Sequence, residues 1–154
     1  MVTKNTANNA NNALNILPES ASTAVDNDEK YLSFALVLAI TIMGNLVKLI
    51  GTDGFVLYTY TLQDTATARA VFNELARRLK NFNRQEEVYT TDYLTFRMKY
   101  IYGVTLFEHD SKSILNLFDK KGYPVLSESG EPGSLDDMYL DIQARLHGGY
   151  ASKK

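Results

Sequence analysis

The chain has 154 residues, 45% of them hydrophobic and 22% charged, which is ordinary globular material with room for one modest domain. A formal net charge of −2 gives no global pull toward polyphosphate, so nucleic acid is not an expected partner. With no cysteine, the chain can hold no disulfide, no thiolate-bound iron–sulfur cluster and no cysteine-ligated zinc.

Residues 1–30 differ in kind from the rest. Asn5, Asn8, Asn9, Asn11, Asn12 and Asn15 crowd one short stretch, and small and acidic residues follow as far as Lys30. Such a segment buries too little apolar area to offset its ordering entropy, so it reads as a disordered arm. Leu14, Ile16 and Leu17, just before Pro18, form either a short docking motif or a local turn.

The longest apolar run, 31–50, comes next. It is carried by Tyr31, Leu32, Phe34, Leu36, Val37, Leu38, Ile40, Ile42, Leu46, Leu49 and Ile50, with Asn45 and Lys48 its only strongly polar members. Twenty helical residues span about 30 Å, the thickness of a bilayer core, so the run is expected to be a single transmembrane helix. Lys48 would snorkel at one edge while Tyr31 occupies the other interface. The alternative is a buried or interface helix of a soluble fold, because only thirteen residues, 32–44, precede the first strongly polar side chain. A cleaved signal fits poorly, since the head is acidic near the run and no A-x-A-like site follows.

Residues 54–148 alternate element types. Phe55–Leu62 is aromatic and β-branched after the turn Gly51-Thr52-Asp53-Gly54 and reads as a strand. Asp64 or Thr65 then caps a helix in which Ala68, Val71, Phe72, Leu75, Leu79 and Phe82 recur at three- and four-residue steps. Its other face carries Arg69, Arg77, Arg78 and Lys80, with Arg84 just beyond, a candidate surface for acidic partners or lipid headgroups. Residues 87–102 alternate as a half-buried strand does; a helix between Asp92 and Gly103 is the competing reading.

Val104–Glu108 reads as strand, and a short helix is expected from Asp110 or Ser111 through Ile114, Leu115 and Phe118, closed by Gly122. Tyr123–Leu126 suits an edge strand because Pro124 lacks an amide donor. After Gly130-Glu131-Pro132-Gly133, Ser134 is placed to cap a last helix with Asp136 and Asp137 in its first turn. Leu135, Met138, Tyr139, Ile142 and Leu146 line its apolar face, and 149–154 follow as a flexible tail. The fold class is α+β: one N-terminal apolar helix, then a small mixed sheet with helices packed on it.

No catalytic, cofactor or metal residue is expected. His109-Asp110 resembles the adjacent pair of metal-dependent phosphohydrolases, but only His147 remains to complete a shell. Asp136, Asp137 and Asp141 lack calcium-loop spacing, and no phosphate-binding glycine motif or nucleophile elbow is present. Glu86-Glu87 reads as a solvated strand start, and the ten tyrosines as core or protein-contact rings. The layout, not any motif, looks like that of bitopic structural subunits of bacterial secretion, conjugation or pilus machinery.

The function expected from sequence is therefore a non-enzymatic, single-pass scaffold or assembly subunit of an envelope complex. It would sit in the bacterial inner membrane, with other protein subunits as partners and with oligomer formation open. Two alternatives stand beside it. One is a soluble structural or assembly protein of a virion or other large particle, with 31–50 in a subunit interface and a location in the virion or the cytoplasm; the other is an enzyme with a site near His109 and Asp110.

Overall fold

The structure, a computed structural model, describes residues 13–14, 32–82, 84–146 and 150–153. The chain is mixed α and β, and it divides into two compact units, 1–97 and 98–154.

In the first unit a two-residue strand β1 (Ala13–Leu14) pairs with β2 (Leu32–Ser33), and a 3-10 turn follows over Phe34–Leu36. Then come β3 (Val37–Met43), β4 (Leu46–Gly51), β5 (Val56–Thr61), helix α1 (Thr65–Phe82), β6 (Val88–Thr90) and β7 (Leu94–Arg97). Apart from β1 and β2 these strands form one antiparallel five-stranded sheet in the order β5-β4-β3-β7-β6, with α1 laid on β3 and β4.

The apolar run is thus a hairpin, not a helix. Met43 and Leu46 pair directly, leaving Gly44 and Asn45 as a two-residue loop, and Gly44 has φ +61°. Glycine at the first loop position gives the backbone twist that joins tightly paired antiparallel strands. Val37, Ile40, Thr41, Ile42, Val47 and Ile50 are β-branched, which suits a pleated surface better than a helix. Val37, Ile40, Ile42, Val47 and Leu49 point to α1 and meet Ala68, Val71, Phe72, Leu75 and Leu79 in one buried core. Among the described residues no helix is long and apolar enough to cross a membrane.

The expectation that 31–50 forms a span is therefore corrected: most apolar side chains of this hairpin serve the core of their own fold, while Leu36 and Met43 are exposed. Leu32, Phe34, Leu36, Leu38, Leu46 and Ile50 likewise fall in strands or the 3-10 turn, whereas Tyr31 and most of the arm 1–30 lie outside the described residues. In contrast, the strand expected over Phe55–Leu62 is present as Val56–Thr61, and the helix expected from Asp64 or Thr65 through Phe82 is present as Thr65–Phe82.

The second unit opens with a 3-10 turn over Met98–Tyr100. It continues with β8 (Gly103–His109), β9 (Lys112–Phe118), β10 (Pro124–Gly130), α2 (Asp136–Arg145) and β11 (Tyr150–Lys153). Its sheet order is β10-β9-β8-β11, antiparallel except for the parallel β8–β11 pair, and α2 packs against β8. The helix expected after Asp110 is a strand. Ser113, Leu115 and Leu117 are buried at a strict period of two, and Asp110 (φ 53°) and Ser111 (φ 62°) make the tight turn between β8 and β9. Residues 87–102 resolve into β6, β7 and the 3-10 turn. The last helix is present, but Ser134 does not cap it: its hydroxyl donates to the Glu131 carbonyl, and Leu135 holds the N-cap position without a side-chain bond. Tyr150–Lys153, expected as tail, pair with Gly103–Leu106.

Candidate functional site

Three places in the first unit carry unusual side-chain or backbone chemistry. The first is the corner around Arg97, the last residue of β7. Its guanidinium holds Glu86 in a fork, Nε to Oε1 at 2.7 Å and Nη2 to Oε2 at 2.8 Å, with side chains only 3% and 8% exposed. The remaining nitrogen, Nη1, donates to the carbonyls of Phe34 and Val37 at 3.0 Å each and of Ala35 at 3.3 Å. The Phe82 ring lies 5.6 Å away and itself meets Phe34. A planar cation with five donors can satisfy a carboxylate and a cluster of turn carbonyls at once, and this one locks the 3-10 turn to β7. Neither residue stood out in the sequence, where Arg97 falls on the polar half of an alternation and Glu86 reads as solvated.

The second is a pocket of about 400 Å³ lined by Ile42, Gly44, Thr65, Ala66, Arg69 and Tyr93. The first turn of α1 forms one wall, held by Asp64, whose carboxylate accepts from the Thr67 amide at 2.7 Å and sits below its usual pKa because of that bond. Arg69 Nη1 donates to the Asp92 carbonyl at 2.6 Å, and its guanidinium lies 5.3 Å from the Phe72 ring and 5.7 Å from the Tyr93 ring. Arg69 is thus drawn away from the other cations of α1. Arg77 and Arg78 both hold Glu74, at 2.6 Å and 2.8 Å, and the hydrogen bond from Arg77 is the main cause that keeps Glu74 below the usual carboxylate range. Lys80 and Arg84 remain exposed. The basic stripe expected from sequence is therefore broken into a pocket residue, a pair that shares one carboxylate, and two exposed cations.

The third is the outer edge of β5, which ends the five-stranded sheet. From Phe55 to Leu62 it carries no charged side chain. Its backbone phase follows from its two ends: the Leu62 amide donates to the Asn45 carbonyl, the Asn45 side-chain amide donates to the Leu62 carbonyl, and the Gly51 amide donates to the Phe55 carbonyl. Antiparallel pairs alternate between bonded and non-bonded, so Tyr60 and Tyr58 turn their backbone groups inward to β4, and Thr59 and Thr61 turn theirs outward. A bulge absorbs the odd residue, Leu57, between the Ile50–Val56 and Leu49–Tyr58 pairs. Thr59 and Thr61 are exposed, as are Phe55 (72%), Val56 (52%) and, on the same rung as Thr61, Met43 (78%). Tyr60 points under the sheet, and burial pushes its hydroxyl pKa well up.

His109 and Asp110, the sequence's nearest approach to catalytic residues, sit at an exposed hairpin tip, 3.3 Å apart, with side chains 70% and 86% exposed. His147 lies outside the described residues. Among the described residues no group of three His, Asp or Glu could hold a metal ion.

No family model and no curated protein matches the chain. One solved structure, the LytTr DNA-binding domain of a response regulator from Bacillus cereus, is similar over 85% of this chain and 95% of its own, with 8% identity and a TM-score of 0.41. DNA binding is what that domain's name says of that domain; the expectation of no nucleic-acid partner for this chain rested on net charge alone and is not carried further. At this identity and TM-score the likeness assigns neither a family nor an activity to the chain. The envelope scaffold and the single-pass, inner-membrane location are withdrawn, because the helix on which both depended is a pair of strands.

Proposed function

We propose that the chain is a non-catalytic recognition module that takes an extended polypeptide segment onto the outer edge of β5. The observation that supports this is an uncharged, six-residue terminal strand with Thr59 and Thr61 exposed and their backbone groups turned outward. Open strand edges pair with other strands unless something guards them, and main-chain hydrogen bonds then give affinity while alternate side chains give selectivity. Two other edge strands are guarded: β6 is three residues long, and β10 begins at Pro124 and carries Glu128.

An incoming strand would continue the exposed strip that β4 and β5 already show on the face away from α1. Its rungs are Leu46 with Thr61, Lys48 with Thr59, and Ile50 with Val56. Phe55, exposed just before β5, is an apolar contact for one flank of that strand. The test is selection of phage-displayed random octapeptides against the full chain, followed by amide NMR of the best binder. Shifts centred on Thr59 and Thr61, abolished by Thr59→Lys, support the reading. Binders that leave β5 unperturbed overturn it.

A further inference from the structure

We infer that the strand received by β5 is β5 of a second copy, so that two five-stranded sheets join about a two-fold axis through Tyr60. The inference rests on the strand-addition reading and names its partner. Because only Thr59 and Thr61 present outward backbone groups in the regular part of the strand, a partner must bond at those two positions. A two-fold axis at Tyr60 places Thr59 opposite Thr61 of the second copy, and Thr61 opposite its Thr59. Both are then hydrogen-bonded pairs, and threonine facing threonine is a favourable cross-strand match. The bulged Leu57 falls opposite Gln63 of the second copy, at the margin of the paired run, so the bulge does not interrupt it.

Charge argues for the same occupant. Strands that must stay apart carry lysine or inward charges at the edge, because like charges meet across a two-fold axis. Here none stands between Phe55 and Gln63, and the nearest charge on the sheet, Lys48, lies one strand further in. The two Lys48 residues would be three strand spacings apart and offset along the strands, more than about 14 Å and beyond the ~8 Å screening length of physiological salt. Among the described residues, helix α1 packs on β3 and β4, and no strand pairs with the outer edge of β5.

Sedimentation equilibrium of the full chain, from micromolar to millimolar concentration, tests this. The expected result is a monomer–dimer equilibrium whose dissociation constant rises at least about tenfold with Thr59→Lys and is unchanged by Ser127→Lys on β10. As a second measurement that needs no destabilising charge, the Thr59→Cys/Thr61→Cys double variant of this cysteine-free chain should form a covalent dimer on mild oxidation. A dimer indifferent to Thr59→Lys, or one that fails to cross-link, overturns the inference. A monomer at every concentration overturns it too; the strand-addition reading then survives if octapeptides still shift Thr59 and Thr61, and falls if they do not.

Discussion

The two margins of the five-stranded sheet solve the same problem in opposite ways. At the β7–β6 margin the chain spends its best hydrogen-bonding side chain on itself: Arg97 forks onto Glu86, both side chains nearly free of water, and collects the carbonyls of Phe34, Ala35 and Val37. The edge strand there is three residues long, and the Tyr89 ring stacks on Phe96 at 5.3 Å. At the β5 margin no side chain is charged, the strand is twice as long, and among the described residues no strand pairs with the outward amides of Thr59 and Thr61. One margin is closed by a buried ion pair whose parts cannot be separated cheaply; the other is left unfinished. The difference teaches where stability and recognition are divided within one sheet.

Breaking the closed margin should have the largest effect. Arg97→Ala leaves Glu86 and the turn carbonyls buried without their donor, and loss of one partner of a buried pair costs about 3–5 kcal/mol. Urea unfolding should show that loss, while Glu86→Gln, which keeps a hydrogen-bonding oxygen, should cost less. Next comes the hairpin that connects the margins. Gly44→Ala meets no clashing atom but must hold φ +61°, so it should destabilise by about 1–2 kcal/mol through backbone strain alone, again read by urea unfolding.

A smaller effect sharpens the contrast with the second sheet. Burial raises the Glu128 pKa on the guarded edge strand β10, so its folded value lies above its ordinary 4.5. Such a group favours folding below its unfolded pKa, and that contribution is lost as pH rises through the folded value. Glu128→Gln should therefore make the chain slightly more stable at neutral pH, with the gain fading below pH 4.5 in thermal melts taken across the acid range. The smallest stability change should come from Thr59→Lys, within about 0.5 kcal/mol, because an exposed side chain is exchanged for another. Its whole effect should fall on association.

How much of this the sequence displays depends on whether the deciding contact is local. Helix α1 is legible because Ala68, Val71, Phe72, Leu75 and Leu79 repeat at helical steps, and all are buried where that repeat puts them. The segment 31–50 misleads because summed hydropathy is blind to period: a greasy hairpin and a greasy helix score alike. The signal that separates them, Gly44-Asn45 between two β-branched stretches, is a hairpin dipeptide and was present all along. Lys112–Phe118 misleads in the same way, since Ile114, Leu115 and Phe118 imitate a helical step inside a period of two. The Arg97–Glu86 lock is a different matter. Its partners are eleven residues apart and its carbonyls some sixty, so no local pattern announces it. The open edge of β5 is also invisible in sequence, because being last in a sheet is a property of topology.

Amide hydrogen exchange along β5 tests the division of labour most directly. In dilute solution the account predicts slow exchange at Tyr58 and Tyr60, whose amides bond β4, and fast exchange at Thr59 and Thr61. Raising the protein concentration should then protect Thr59 and Thr61 selectively. Thr59 and Thr61 amides that stay unprotected at every concentration and with every selected octapeptide, or that are already slow in the isolated monomer, would contradict it.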